Sequence, residues 1–171
     1  MTKKIYDNIC DKTRFNTFFK SHYKDLNNFL YYKFGERLNP QDKMQEAFVK
    51  LWENCKKVAP DKAKAYVYRV ATNLMLNEVA HQKVVLKHQE IKPKEYTNIS
   101  PEFLLEEKEY LQKLENAIAN LTEAERVAFM MNRIDGKRFN EIAELLGISR
   151  KAVEKRVYGA LKKLRKDIDG I

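Results

Sequence analysis

The sequence predicts an all-α fold of two small helical domains joined by a flexible linker, and three observations lead there. Apolar residues recur at spacings of three and four through most of the chain. Five glycines and four prolines in 171 residues are too few for a turn-rich β architecture. One stretch, Lys83–Pro101 (KVVLKHQEIKPKEYTNISP), holds two prolines and no sustained period, which marks it as a connector. The predicted divisions are a three-helix domain at 1–82, a linker at 83–101 and a four-helix domain at 102–171 that contains a helix-turn-helix.

Residues 1–13 read as a polar lead-in. Arg14–Phe34 follows as one long helix, with Phe15, Phe18, Phe19, His22, Leu26, Phe29, Leu30 and Phe34 on a single stripe that is expected to be core. His22 has no acidic or metal-binding companion at useful spacing and reads as a partly covered structural histidine. Gly35–Asn39 turns the chain into a second helix running to about Asn54. Its inner side is Met44, Phe48, Leu51 and Cys55, with Ala47 and Trp52 at the edges. Gln45, Val49 and Trp52 fall together as a strip suited to docking another helix. After a basic loop, Lys56–Lys62, the third helix spans Ala63–Gln82. Val67, Val70, Ala71, Leu74 and Val79 are expected inside. Tyr66, Arg69, Thr72, Asn73, Leu76 and Asn77 form a polar-aromatic outer face. Such side chains can hold phosphates or stack on bases, and they also suit an ordinary wetted helix surface.

In the C-terminal half, Glu102–Asn120 is helical, with Phe103, Leu104, Leu111, Leu114 and Ile118 as anchors. Thr122 and Glu125 make a capping box for Glu123–Ile134, whose Val127, Phe129, Met130, Met131 and Ile134 are available to the core. Asp135-Gly136 leads into FNEIAELLGISRKAVEKRVYGALKKL. A short helix carries Ile142, Ala143, Leu145 and Leu146 and is broken at Gly147-Ile148-Ser149. A second helix then carries Val153, Val157, Ala160, Leu161 and Leu164. Two helices joined so tightly must cross steeply. That crossing calls for a small residue at Ala143, a bendable one at Gly147 and an apolar plug at Ile148, which together specify a helix-turn-helix. Ser149 can cap the second helix. Arg150, Lys151, Glu154, Lys155 and Tyr158 point outward, with Arg156 at the edge of that face. A structural helical hairpin can share the same pattern, so charge is informative: Lys137–Lys166 holds ten basic residues against three acidic ones.

The whole chain carries 33 basic and 24 acidic residues, a formal +9. Residues 1–82 and 121–171 are both positive and the intervening 83–120 is close to neutral, a distribution that suits contact with one nucleic acid at two places. The sequence shows no glycine-rich phosphate loop, no HExxH and no cysteine cluster with zinc spacing. His22, His81 and His88 are scattered, so neither an enzyme nor a metal or cofactor site is expected. Cys10 and Cys55 form an unpatterned pair, and they are expected to be the thiols of a reduced, cytoplasmic protein. Neither an export signal nor a bilayer-spanning run is expected.

Two separated segments give this arrangement a resemblance to the bacterial RNA polymerase sigma factors of the small, extracytoplasmic-function type. NPQDKMQEAFVKLWEN (Asn39–Asn54) resembles the core-polymerase-binding helix of sigma region 2 and continues into KAYVYRVATNLMLNEV (Lys64–Val79), similar to the helix that engages promoter −10 DNA. Leu121–Lys166 resembles region 4, the −35 reader. The resemblance implies that Asp42, Gln45, Glu46, Val49 and Trp52 bind core polymerase. It implies that Arg69, Asn73 and Asn77 capture −10 bases while Lys62 and Lys64 contact phosphates, and that Arg150, Lys151, Glu154, Lys155, Arg156 and Tyr158 face the −35 major groove. Its further implications are promoter DNA as ligand, an anti-sigma factor as restraint, a monomer when free and a linker that threads polymerase channels. The polymerase would supply all nucleotide chemistry and its Mg²⁺. This chain departs from many relatives in having Glu154 and Gly159 where basic residues often stand, and in lacking the segment called region 3. A conventional helix-turn-helix regulator and a protein-interaction module without DNA binding are the alternative readings.

Overall fold

The computed structural model describes residues 9–35, 38–86 and 102–168, with side chains left aside at 82–86 and 102–109. Among these residues the secondary structure is helical: α1 (Lys12–Phe34), α2 (Pro40–Glu53), α3 (Ala63–Leu86), α4 (Glu102–Ala119), α5 (Glu123–Arg133), α6 (Phe139–Leu146) and α7 (Arg150–Asp167), plus a 3-10 turn at Pro60–Lys62. The chain divides into two compact units between Val85 and Leu86. The third helix runs four residues past its expected end, into the start of the predicted linker, because nothing before the prolines interrupts it. The remainder of that stretch lies outside the described residues. No helix among the described residues is long and apolar enough to cross a membrane.

In the first unit, Asp11 caps α1 by accepting from the Arg14 N–H at 2.9 Å. Gly35, at φ 77°, ends the helix in a region open to glycine. Helices α1 and α2 pack antiparallel: Phe19 meets Phe48 at 4.8 Å between ring centroids, and Phe15 meets Trp52 at 4.9 Å, both edge-on. Helix α3 joins them through Phe29–Tyr68 at 5.2 Å and a Lys43–Glu78 ion pair at 3.5 Å. The largest fully buried side chains here are Leu26, Leu30, Leu51, Val67 and Met75. Tyr32, Tyr68 and Met75 are buried although the spacing did not mark them, while Val70, Leu74 and Val79 are only half-covered. Apolar residues occupy more than one side of α3, so its period alone does not choose the inward face. His22 is half-covered and packs edge-on against Phe18 at 4.5 Å.

Cys10 and Cys55 correct the expectation of free thiols, because they are joined by a disulfide. They lie 45 residues apart in sequence, which hides the pairing. Antiparallel packing sets the start of α1 beside the end of α2 and brings their Cα atoms to 5.1 Å, within bridging distance.

In the second unit, α7 is the central helix and packs against α4, α5 and α6. Ala117, Leu121, Phe129, Ala160, Leu164 and Ile168 form one buried cluster. Val153 and Val157, farther up α7, are also buried, as is Ile142 of α6. Two expected core residues are not core: Leu111 is 49% exposed and Ile134 is 66% exposed. Ile134 follows the last residue of α5, whereas Leu111 lies midway along α4 on its solvent side.

Candidate functional site

Three surfaces carry the residues singled out from sequence. The first is an apolar groove of about 360 Å³ between α1 and α2, lined by Phe15, Phe19, Gln45, Phe48, Val49 and Trp52. Gln45, Val49 and Trp52 therefore do come together, with Val49 55% exposed and Trp52 42% exposed. Exposed apolar side chains beside a groove have the composition of a docking face for a helix. Phe15 and Phe19 belong to it as well. Their stripe read as core, yet this end of α1 is only half-covered. Asp42 is exposed in the first turn of α2, and Glu46 pairs with Lys50 at 3.5 Å on the same helix.

The second surface is the outer face of α3. Arg69, Asn73 and Asn77 are all exposed and follow one another at i, i+4 and i+8, a single row along the helix. Leu76, half exposed, stands beside the row. Lys62 is exposed in the 3-10 turn that leads into α3, and Lys64 is half-covered in its first turn. Thr72 does not contribute a free hydroxyl to this face, because its Oγ1 donates to the Tyr68 carbonyl at 2.8 Å. The row thus offers one guanidinium and two carboxamides, donors and acceptors that can meet both phosphates and base edges.

The third surface is the helix-turn-helix. Gly147 takes φ 64°, in the left-handed region, and closes α6. Its N–H donates to the Glu144 carbonyl, and the next N–H, of Ile148, donates to Ala143 at 3.0 Å, so the turn is a Schellman closure. Ser149 then caps α7 by accepting from the Ala152 N–H at 3.2 Å. Helix α7 buries Val153, Val157, Ala160 and Leu164 and leaves Arg150, Lys151, Lys155 and Tyr158 exposed, with Glu154 and Arg156 half-covered. Arg150 Nε and Glu154 Oε1 lie 2.8 Å apart, so two of the expected DNA-facing residues engage each other. The sequence reading missed Arg138, Phe139 and Asn140. With Arg150 and Asn132 they line a shallow concavity at the start of α6 and α7. Phe139 approaches Tyr158 edge-on at 6.3 Å. The signal that could have found them is the dense positive charge beginning at Lys137.

One polar cluster ties this surface to the rest of its unit. Glu125 Oε2 accepts from the Thr122 hydroxyl at 2.7 Å, from the Thr122 N–H at 3.2 Å and from Lys163 Nζ of α7 at 2.7 Å. The hydrogen bond from Lys163 first, then those from Thr122, hold the Glu125 carboxyl below the ordinary range against an opposing effect of burial. A Cβ on Gly159 would lie 3.1 Å from Glu125 Oε1, so this glycine gives the carboxylate its approach to α7.

Comparison with known proteins finds two family models on separate stretches of the chain. The family model for sigma-70 region 2 matches residues 18–84, and that for sigma-70 region 4 matches residues 111–164. The ECF RNA polymerase sigma factor SigE of Mycolicibacterium smegmatis is 24% identical over 136 residues. That alignment covers 77% of this chain and 52% of SigE, so the chain spans about half the length of this relative.

Proposed function

Because the chain belongs to the ECF-type sigma factors of bacterial RNA polymerase, we propose that it seats the core enzyme at promoters through three surfaces with separate tasks. At the level of the family it is a non-catalytic protein of polymerase binding and promoter recognition. In the proposed division of labour, the α1–α2 groove with Asp42, Gln45, Glu46, Val49 and Trp52 receives a helix of the polymerase. Arg69, Asn73 and Asn77 hold −10 bases flipped from the opened strand, with Lys62 and Lys64 on the phosphates. Arg150, Lys151, Glu154, Lys155, Arg156 and Tyr158 face the −35 major groove, joined by Arg138 on the backbone. The domains are taken as 1–82 and 102–171 on either side of a linker, and the free protein as a cytoplasmic monomer restrained by an anti-sigma factor.

The observation that carries this reading is the presence, on one chain, of an open apolar groove, an exposed polar row on α3 and a basic helix-turn-helix. A helix-turn-helix regulator needs only the last of these. Promoter opening requires unstacking, and each captured base can return roughly 1–3 kcal/mol when it stacks on an aromatic side chain. Two readers on one chain also raise each other's effective concentration, so each can be weak alone.

Purified transcription tests the reading. Core polymerase supplemented with this protein on a two-element promoter should start transcripts at one defined position, and the two should co-elute as a complex. Failure of both would remove the assignment. A homodimer giving a symmetric duplex footprint without core association would instead indicate a conventional regulator.

A further inference from the structure

We propose that the Cys10–Cys55 disulfide is a redox control on the α1–α2 groove, holding it in the form that docks its partner; the inference rests on the groove being the polymerase-docking face. The argument starts from how α1 is held. Its buried residues, Leu26, Phe29, Leu30 and Tyr32, all lie in its second half. The first half meets α2 through Phe15 on Trp52 and through Phe18 and Phe19 on Phe48, and these three α1 rings are only half-covered. Phe15, Phe19, Phe48 and Trp52 of this set line the groove. The bridge sits at this weakly packed end, five residues before Phe15 and three after Trp52. It is therefore the covalent tie across the groove's own edge.

The chemistry allows reversal. Cys10 is half-exposed and Cys55 is buried. A thiolate of a dithiol reductant would reach the Cys10 sulfur first, form a mixed disulfide there and release Cys55 as a thiolate that takes up a proton. The reductant's second thiolate then attacks the mixed disulfide and leaves as the reductant's own disulfide, freeing Cys10 as a thiol. Two electrons and two protons pass to the protein and the dithiol is oxidised. In a thiol-reducing cytoplasm, bridges that do form are usually transient and redox-sensing. Oxidation thus preorganises the groove and reduction loosens it, which favours binding in the oxidised state.

The experiment uses the full chain in two forms, oxidised in disulfide glutathione or reduced with dithiothreitol and desalted without air. Alkylation and mass measurement should find no free thiol in the first and two in the second, since the chain has only two cysteines. The oxidised form should bind core polymerase roughly tenfold more tightly. Cys10→Ser, at the half-exposed position, should bind like the reduced protein under both conditions. The single tryptophan, Trp52, should shift its emission on reduction in the natural chain and not in Cys10→Ser. Two reactive thiols after oxidation, equal affinities in the two states, or Cys10→Ser binding like the oxidised form would each overturn the proposal. Equal, measurable binding leaves the docking assignment standing. Absence of binding in both states removes that assignment, and the redox control falls with it.

Discussion

Replacing Glu125 by alanine should weaken the hold of α5 on the recognition helix by about 2 kcal/mol, and the structure divides that figure in two. Loss of the capping box with Thr122 removes an acceptor for two donors at the start of α5, worth ~1 kcal/mol in a typical helix cap. Loss of the Lys163 contact removes a 2.7 Å ion pair whose lysine is half exposed, so it belongs near the upper end of surface pairs, ~1 kcal/mol. Amide hydrogen exchange in the full chain reads both: α5 and α7 amides protected in the natural protein should exchange about 30-fold faster in Glu125→Ala, at tenfold per 1.4 kcal/mol. A cycle with Lys163→Ala separates the shares, since the two substitutions should be non-additive by about 1 kcal/mol. The acid dependence follows from the depressed carboxyl, held down first by Lys163. Above the unfolded value, near 4.3, its contribution is fully present. As pH falls through the lower folded value, the carboxylate is protonated in both states and the contribution disappears. Natural protein and variant should therefore differ at neutral pH, and the difference should shrink as pH falls below the unfolded value. A difference that stays constant down to pH 3, or an additive cycle, would refute the electrostatic part of this reasoning.

Two further substitutions test the same surface. Gly159→Ala gains ~0.8–1 kcal/mol of helix propensity but pushes a Cβ to within 3.1 Å of Glu125 Oε1. Its gain in α7 protection should thus be smaller in the natural background than in Glu125→Ala, and equal gains would show that the approach costs nothing. Glu154→Ala should release Arg150 from a pair worth only ~0.3–0.5 kcal/mol and remove a charge that repels phosphate. Binding of −35 duplex should tighten and its salt dependence should steepen by about one phosphate contact, as read by titration at several salt concentrations. An unchanged slope would mean that Arg150 reaches no phosphate.

What the sequence made legible was whatever is written within a few residues. The Thr122–Glu125 box, the Ser149 cap and the Gly147 closure each involve partners within five positions, and each formed where the residue types required it. The features that stayed hidden depend on chain segments meeting from far apart. Lys163 is 38 positions from Glu125, and Cys10 is 45 from Cys55. Neither spacing carries a pattern, because the packing of one helix on another, which sets both meetings, has no signature in a pair of residue types. Helix α3 shows a second limit: with apolar side chains on several sides, its period admitted Val70 and Leu74 as core and passed over Tyr68 and Met75, and only the neighbouring helices decide between them. The groove shows a third. Phe15 and Phe19 sit on the same stripe as Leu26 and Leu30, so periodicity assigns all four to one apolar face. Periodicity records that a face must be covered and is silent on what covers it. In α1 the second half is covered by its own chain, while the first half stays open between Phe15, Phe48 and Trp52. An apolar stripe that continues past the end of its own core is thus the form the proposed docking surface takes in sequence, and Phe15 and Phe19 read as interior because open and covered stripes are written alike.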